Sequence, residues 1–304
     1  MRGGRGVADA ILPRLKQESD TGALLEIWER SFGDSRNYIE NFFRFAAKDE
    51  NTVVSCEDGR AVSAAYLLDC HLNIHGTSYP AYYFYAAATL PEYRGKGHMG
   101  AIIRYVISLA EERGIDFVFL VPAEGSLYRY YTRFGFRTCF YSETVTYSHE
   151  EFRYAVKENS IADLKSGPAD PSLFRPTDVA QVRELAYSSI DHVQLSPEAM
   201  QYVLFEHASC GGGLLCDGSS YALFQEENGT LEVKEICPPV LDGSMARALL
   251  ARGADKYVIH APTGSAVRGR RTTAGRAGMA IALNRRARTA SGMMKDAYIG
   301  ITLG

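Results

Sequence analysis

The sequence predicts a mixed α/β protein with two similar units in tandem, each a twisted mixed sheet flanked by helices, the second unit being degenerate. Two observations lead to this prediction. Segments with strand-like and helix-like spacing alternate along the chain, and their order after residue 171 repeats the order before residue 150. The length of 304 residues suits about two domains. We therefore expect a flexible arm over 1–17, a first domain over 18–150, a linker over 151–171 and a degenerate second domain over 172–304.

Composition and charge exclude several classes of protein. The net charge of -3 and the pI of about 6.2 give no overall attraction to nucleic acid or to an anionic membrane. The longest apolar runs fall far short of the roughly 20 residues that a membrane-spanning helix needs. No apolar stretch follows Met1–Val7, so we expect no signal peptide and a cytoplasmic location. The six cysteines lack zinc-binding spacing, which predicts reduced thiols and no metal site.

The first half of the chain alternates strands and helices in a regular order. Gly33–Ser35 should end one helix and cap the next, and Gly114 should end a third. Pro80 is expected to break the strand in which it lies. The predicted helices cover 23–32, 38–45, 98–113 and 127–133, and the predicted strands cover 52–56, 61–74, 77–90, 117–121 and 136–147.

The second half repeats this order without the same chemistry. Residues 237–244 occupy the place of the turn at 94–100 but contain two prolines and no basic residue, so they cannot form a comparable cradle of N–H groups. The predicted helices cover 178–187, 197–207 and 245–252, and the predicted strands cover 213–216, 221–225, 231–236, 256–260 and 297–304.

A basic, glycine-rich turn lies between a predicted strand and a predicted helix. The turn reads Arg94–Gly95–Lys96–Gly97–His98–Met99–Gly100. Glycines allow a tight backbone whose N–H groups point inward, and a helix N-terminus adds partial positive charge. Arg94 and Lys96 add full charges. The turn matches neither the P-loop nor the dinucleotide pattern, but its chemistry suits a pyrophosphate.

The turn resembles the coenzyme A loop, Arg/Gln-x-x-Gly-x-Gly/Ala, of the GNAT superfamily of N-acetyltransferases. Met99 departs from this pattern, because the family usually has Gly or Ala there. A second motif, Leu127–Phe136, resembles the family's Phe-Tyr-x-x-Leu-Gly-Phe ending. The resemblance covers about residues 20–148 and implies a catalytic GNAT domain there. The whole chain is similar to tandem acetyltransferases of the enhanced-intracellular-survival type, without their sterol-carrier-like domain.

The resemblance implies acetyl-CoA as the cofactor and assigns its binding residues. The loop would hold the pyrophosphate, and the end of the preceding strand would pair with the pantetheine arm and polarise the thioester carbonyl. The implied binding residues are Ala88, Thr89, Leu90, Arg94, Gly95, Lys96, Gly97, His98, Met99 and Gly100. The side chain of His98 is expected to face solvent or the phosphate.

The resemblance also implies that Tyr131 protonates the leaving thiolate. The alternative interpretation is that Tyr131 is only an aromatic residue of the core. Tyr130 is the second candidate for the proton donor. The base is less clear from the residues. Glu92 is interpreted as a solvated charge rather than as the base. Two candidates for the base are then left, water and the terminal carboxylate at Gly304. Some tandem relatives use their terminal carboxylate in this way. The alternative for Gly304 is that its segment only completes a sheet.

The function that follows is acetyl transfer from acetyl-CoA to a primary amine of a small molecule or peptide. Nucleic acid and membrane are not expected as partners, whereas a homo-oligomer is compatible with the tandem relatives. Two alternatives remain: an acyl-CoA-binding sensor or scaffold, and a tRNA-dependent aminoacyl transferase of tandem GNAT type. The arginine-rich segment 268–288 favours the second weakly, but is more typical of a solvated loop and strand edge.

Overall fold

The computed structural model describes residues 11–158, 176–216, 219–241, 243–267, 269, 271–301 and 303. The chain divides into two compact units, unit 1 (Met1–Leu68 and Tyr82–Gly114) and unit 2 (Asp69–Ala81 and Ile115–Gly304). Both units combine strands and helices, which confirms the predicted mixed α/β class. No helix among the described residues is both long and apolar enough to cross a membrane.

Unit 1 follows the predicted order of elements closely. Gly33, at φ 75°, ends the first helix, and the Ser35 hydroxyl caps the second by accepting from the N–H of Tyr38. The strands pair in the order β1-β2-β3-β4. The last residues of β3 and the first residues of β4 belong to unit 2. The elements are β1 (Arg14–Leu15), α1 (Thr21–Phe32), α2 (Arg36–Phe45), β2 (Thr52–Glu57), β3 (Arg60–Ile74), β4 (Thr77–Thr89) and α3 (His98–Glu112).

An aromatic cluster forms the core beneath α1 and α2. The rings of Trp28 and Phe42 lie 4.7 Å apart, and each lies within 5.4 Å of the ring of Tyr66. All three side chains are buried. The indole N–H of Trp28 donates to a carboxylate oxygen of Asp34 at 2.7 Å, so the one polar group of this side chain is satisfied.

Unit 2 contains the remaining elements. They are β5 (Phe117–Leu120), α4 (Gly125–Thr132), β6 (Arg137–Ser148), α5 (His149–Glu158), α6 (Pro176–Ala186), β7 (His192–Gln194), α7 (Pro197–Ser209), β8 (Gly213–Cys216), β9 (Tyr221–Glu227), β10 (Thr230–Cys237), α8 (Gly243–Leu250), β11 (Lys256–Ala261), β12 (Arg271–Ala282) and α9 (Arg285–Met293).

The sheet of unit 2 has the strand order β5-β12-β6-β11-β10-β9-β8. β10 and β11 are parallel and are connected through α8, while the other neighbouring strands in this order are antiparallel. The strand β12, which lies late in the chain, separates β5 from β6. Apart from β7, which lies between α6 and α7, the elements of unit 2 follow the order α6, α7, β8, β9, β10, α8, β11, which is the same order of element types as α1, α2, β2, β3, β4, α3, β5.

Helices cover both faces of this sheet. On β9, Ala222 and Phe224 belong to one apolar cluster, and Tyr221 and Leu223 belong to another. Because alternate residues of a strand point to opposite faces, the two clusters lie on opposite sides of the sheet. The first cluster includes residues of α5 and α8, and the second includes residues of α6 and α7.

Three local predictions need correction. Pro80 does not interrupt β4, because proline loses only its donor and the Pro80 carbonyl still accepts from the N–H of Asp116 at 2.9 Å. Residues 151–158 of the predicted linker belong to the helix α5, and residues 159–171 lie outside the described residues. The predicted strand at 297–304 is not formed among its described residues, where only isolated bridges at Ala297 and Tyr298 occur.

The arginine-rich segment is structured where it is described. Residues 271–282 form β12, and residues 285–293 form α9. The guanidinium of Arg276 lies 4.2 Å from the ring centroid of Tyr128, and that of Arg286 lies 4.6 Å from that of Tyr79. These arginines therefore pack on aromatic rings of unit 2. Residues 268 and 270 lie outside the described residues.

Replacing Phe152 with alanine tests whether α5 is part of the core rather than a linker. The Phe152 ring is fully buried and stacks on Tyr257 with centroids 4.1 Å apart. We expect Phe152→Ala to lower the free energy of unfolding by about 3–5 kcal/mol, measured by thermal or denaturant unfolding. Tyr154→Ala on the same helix is the control, because Tyr154 is exposed and its loss should cost less than about 1 kcal/mol. Equal effects of the two changes would contradict this assignment.

Candidate active site

The glycine-rich turn forms an open cradle at the N-terminus of α3. Gly95 and Gly97 have φ angles of 78° and 102°, which favour glycine strongly. Gly97 is the N-cap of α3, and its carbonyl accepts from the N–H of Ala101 at 3.0 Å. The N–H groups of His98, Met99 and Gly100 therefore belong to the first turn, where a helix has no internal acceptors for them. This arrangement is suited to a phosphate.

The two cations of the turn differ in their surroundings. Lys96 donates to Glu57 at 2.9 Å and lies 4.5 Å from the ring centroid of Tyr93. Arg94 donates from Nε to the carbonyl of Thr89 at 3.0 Å, and its side chain is exposed. The charge of Lys96 is therefore partly balanced within the protein, whereas the guanidinium of Arg94 is open to an anionic ligand.

The His98 side chain faces inward rather than toward solvent or a phosphate. It is 3% exposed, and its Nδ1 lies 2.8 Å from the Ser55 hydroxyl while its Nε2 lies 3.0 Å from Glu57. Hydrogen bonds from Lys96 and then His98 lower the pKa of Glu57. The expectation for the His98 side chain is therefore wrong, because two polar groups on β2 offer it a buried site. Only its backbone N–H remains as a phosphate donor.

The end of β4 is fixed against β3 by two sets of hydrogen bonds. Ser63 donates to the carbonyl of Ala88 at 2.9 Å, and its hydroxyl lies 2.7 Å from that of Thr89. The N–H of Leu90 donates to the carbonyl of Val62 at 3.0 Å. Since N–H groups alternate in direction along a strand, the N–H of Thr89 points away from β3. Leu90 thus cannot offer its N–H to a ligand.

A non-glycine residue with positive φ lies within β4 shortly before this point. Ala86 has a φ angle of 46°, which costs an L-residue about 1 kcal/mol or more. Such local strain within a strand is typical of bulges beside functional sites.

Glu92 is exposed, as expected for a surface charge, and it forms an ion pair with Arg30. Its two carboxylate oxygens accept from the two Nη groups of Arg30 at 2.8 and 2.9 Å. These hydrogen bonds lower the pKa of Glu92. A carboxylate stabilised in its charged form is a weak base, so Glu92 is not a good candidate for deprotonating an amine.

Tyr131 lies on α4 in unit 2 and is 8% exposed. Its ring contacts those of Tyr130 and Phe136, with centroids 5.3 and 5.9 Å apart. Burial, with a smaller contribution from Tyr130, raises the pKa of Tyr131 to about 12. The phenol therefore keeps its proton at neutral pH and has a proton to donate there.

The structure brings most of the predicted residues together in unit 1, namely Ala88–Leu90 and Arg94–Gly100. Tyr131 belongs to unit 2, and Gly304 lies outside the described residues. Sequence reasoning missed Ser55, Glu57 and Ser63, which hold the loop and the end of β4 in place. These polar residues lie about 25–45 positions from their partners, and no local pattern connects such distant positions.

The first part of the chain is similar to a known family of domains. Residues 13–139 match the family model described as "Acetyltransferase (GNAT) domain". No curated protein matches the chain in sequence. The matched residues include the glycine-rich turn, the strained β4 and Tyr131.

Several solved structures share the fold over most of the chain. A GCN5-related N-acetyltransferase from Kribbella flavida is 16% identical, with a TM-score of 0.69, over 91% of this chain and 73% of its own. A probable N-acyltransferase from Enterococcus faecalis is 14% identical, with a TM-score of 0.73, over 91% and 74%. Eis1 from Mycobacterium abscessus is 13% identical, with a TM-score of 0.64, over 93% and 76%. At these identities the likeness establishes the fold alone, while the family model identifies the domain. The chain therefore carries an acetyltransferase domain of the GNAT superfamily, over residues 13–139.

Proposed function

We propose that the protein is an acetyl-CoA-dependent N-acetyltransferase that acts on a primary amine of a small molecule or peptide. The observation that carries this proposal is the turn at 94–100. Two positive-φ glycines, a helix N-terminus and an accessible guanidinium converge there, within a GNAT acetyltransferase domain. This combination suits the pyrophosphate of coenzyme A.

The proposed reaction is a direct attack of the neutral amine on the thioester carbonyl carbon. A C–N bond forms, the C–S bond breaks, and the amine nitrogen loses a proton. The N–H of Thr89 points away from β3, and in the proposed reaction it donates a hydrogen bond to the thioester carbonyl oxygen. This hydrogen bond polarises the carbonyl. Tyr131 donates its phenolic proton to the leaving thiolate, which leaves as the free thiol, and the phenolate takes a proton back from water before the next turnover. Because the pKa of Tyr131 is raised to about 12, the phenol remains protonated across the physiological range.

Water is the acceptor that we propose for the amine proton. Glu92 is held in an ion pair with Arg30. Gly304 remains a prediction, because it lies outside the described residues.

Incubation with acetyl-CoA and a panel of amines tests the proposal. The panel contains a polyamine, an amino sugar, free amino acids and short peptides. Acetylated product, detected by mass spectrometry together with release of the free thiol, is the expected result. Salt-sensitive binding of tRNA without binding of acetyl-CoA would instead support aminoacyl transfer and contradict the proposal.

A further inference from the structure

Ser63 is a polar residue in a buried and otherwise apolar stretch of β3. The other residues of 61–65 are alanine or valine, all buried, and Ser63 itself is 0% exposed. A buried hydroxyl costs free energy unless a hydrogen bond compensates, and the net gain from such a bond is small. An alanine, as at the neighbouring positions, would pack here without that cost. The hydroxyl therefore calls for an explanation other than packing.

Two hydrogen bonds connect the Ser63 hydroxyl to the end of β4. Ser63 Oγ donates to the carbonyl oxygen of Ala88 at 2.9 Å, and Thr89 Oγ1 lies 2.7 Å from Ser63 Oγ. A serine hydroxyl has a single proton. With that proton directed to Ala88, the Thr89 hydroxyl is the donor to Ser63. A chain of hydrogen bonds thus runs from Thr89 Oγ1 through Ser63 Oγ to the Ala88 carbonyl, and all three residues belong to unit 1.

The carbonyl of Ala88 and the N–H of Thr89 belong to the same peptide unit. This peptide unit is trans, so it is planar and its C=O and N–H point in opposite directions. Because Ser63 on β3 holds the carbonyl, the N–H of Thr89 is directed away from β3. The hydrogen bond from Leu90 to Val62 implies the same direction. The Ser63 hydroxyl therefore fixes the orientation of the Thr89 N–H without contacting it.

The same hydrogen bond makes the Thr89 N–H a stronger donor. Hydrogen bonds in a chain polarise one another, and a donor at a peptide carbonyl draws electron density from the amide nitrogen. This effect is strongest where water is excluded, and Ala88 is only 7% exposed. A stronger N–H donor stabilises the thioester carbonyl oxygen as that oxygen gains negative charge during attack by the amine.

The strained residue Ala86 lies two positions before this peptide. A φ angle of 46° persists in an L-residue only where surrounding contacts determine the backbone. The hydrogen bond of Ser63 to Ala88 is one such contact, and that of Leu90 to Val62 is another. Loss of the Ser63 hydroxyl would therefore remove a restraint on the Ala88–Thr89 peptide close to a strained residue.

We propose that Ser63 is a positioning residue for acetyl transfer: its hydroxyl fixes the Ala88–Thr89 peptide so that the N–H of Thr89 donates to the thioester carbonyl oxygen. This inference rests on the proposed acetyltransferase function and adds to it a residue that touches neither acetyl-CoA nor the amine. Ser63 acts on the chemical step, because the hydrogen bond from Thr89 strengthens as the carbonyl oxygen gains charge. The affinity for acetyl-CoA depends mainly on the loop at 94–100.

Ser63→Ala tests this role through the rate of acetyl transfer in single turnovers. Removal of a complete oxyanion donor costs about 10²–10³-fold in rate, and here the donor remains but is misaligned and weakened, so we expect a loss of about tenfold or more. The dissociation constant for acetyl-CoA, measured by calorimetry, should stay within about threefold of the wild type, because the lost interaction is stronger in the transition state than in the ground state.

Isotope-edited infrared spectroscopy gives a readout that requires no turnover. Acetyl-CoA with a heavy carbon isotope at the thioester carbonyl is bound to the protein, and its C=O stretch is compared with that of the free compound. A hydrogen bond to the oxygen lowers this frequency, so the wild type should shift the band downward. The shift should be smaller in Ser63→Ala, because the Thr89 N–H is then less well aligned and a weaker donor.

Thr52→Val is the matched control. Thr52 lies on β2 in the same unit, is 1% exposed, and its hydroxyl donates to the carbonyl of Lys48 at 2.8 Å. The change removes a buried hydroxyl that bonds to a backbone carbonyl, as Ser63→Ala does, but it leaves β4 untouched. Both variants should lose similar stability in thermal unfolding. Only Thr52→Val should keep the full band shift and a transfer rate within about twofold of the wild type.

Thr89→Val acts on the other end of the hydrogen-bond chain. It removes the hydroxyl that donates to Ser63, but it keeps the N–H of residue 89 and the bond from Ser63 to Ala88. The losses of rate and of band shift should therefore both be smaller than in Ser63→Ala. Larger losses in Thr89→Val would place the effect on the Thr89 hydroxyl and would overturn the role of Ser63.

The outcomes separate this inference from the proposed function. An unchanged transfer rate or an unchanged carbonyl band in Ser63→Ala would overturn the positioning role, and so would equal losses in Ser63→Ala and Thr52→Val. Binding of acetyl-CoA by the wild type without acetylation of any amine would instead overturn the proposed function. The carbonyl band would then still show whether Ser63 orients the peptide.

Discussion

Gly97→Glu should weaken acetyl-CoA binding by about 100-fold or more. Gly97 has a φ angle of 102°, which a side chain adopts only with strain, and the new carboxylate would face the bound pyrophosphate at the N-terminus of α3. Space is not the obstacle, since the nearest atom to an added Cβ is a carbon of Ile11 at 3.7 Å. Backbone strain and charge repulsion act together, and a 100-fold loss corresponds to about 2.7 kcal/mol. Calorimetric titration measures the change.

Gly114→Glu is the matched control for this prediction. Gly114 also has positive φ, at 71°, no atom lies within 4 Å of an added Cβ, and it follows the opposite end of α3. Fifteen residues of helix place it about 22 Å from the loop. This variant introduces the same charge and a similar strain, so its acetyl-CoA affinity should stay within about threefold of the wild type. Equal losses in the two variants would show that destabilisation, rather than the loop, explains the effect.

Tyr131→Phe should reduce kcat by about 100-fold or more while acetyl-CoA affinity is retained. The change removes only the phenolic oxygen, so ring packing against Tyr130 and Phe136 is preserved. General acid catalysis contributes about 10²–10⁴-fold to a rate, which sets the expected size. Steady-state kinetics at saturating acetyl-CoA, with calorimetry for binding, provides the measurement.

Tyr130→Phe is the natural control, because Tyr130 adjoins Tyr131 on α4 and also packs against aromatic rings. It should retain at least about half of the wild-type kcat. Full activity of Tyr131→Phe with loss in Tyr130→Phe would transfer the proton-donor role to Tyr130. Binding of acetyl-CoA with no turnover in any of the three proteins would favour an acyl-CoA sensor.

Local features of the fold could be predicted from the sequence because short segments encode them. Gly33, Ser35 and Gly114 correctly indicated helix ends, since cap chemistry depends on neighbouring residues. The turn at 94–100 could be recognised in the same way, because its glycines and basic residues are adjacent. The elements α6, α7, β8, β9, β10, α8 and β11 of the second half were also predicted in their order, since apolar spacing reports burial within each segment, whereas β7, β12 and α9 were not predicted.

Features that depend on distant partners could not be predicted. β12 enters the sheet between β5 and β6, and no local pattern encodes that pairing. The inward position of His98 depends on Ser55 and Glu57, more than forty residues away. The apolar composition of 297–304 suggested a strand, but the backbone at Ile299 and Ile301 instead forms hydrogen bonds with the buried side chains of Arg183 and Glu235. Buried charges of this kind look like surface residues in a sequence, because most arginines and glutamates are exposed.

Calorimetric titration of the wild-type protein with acetyl-CoA tests the central claim most directly. One site per chain, with a dissociation constant on the order of 1–100 μM, is the predicted result. A single site is expected because unit 1 carries the glycine-rich loop, while residues 237–244 contain two prolines and no basic residue. Absence of binding would contradict the assignment of the loop. Two equivalent sites per chain would contradict the interpretation of the second repeat as degenerate.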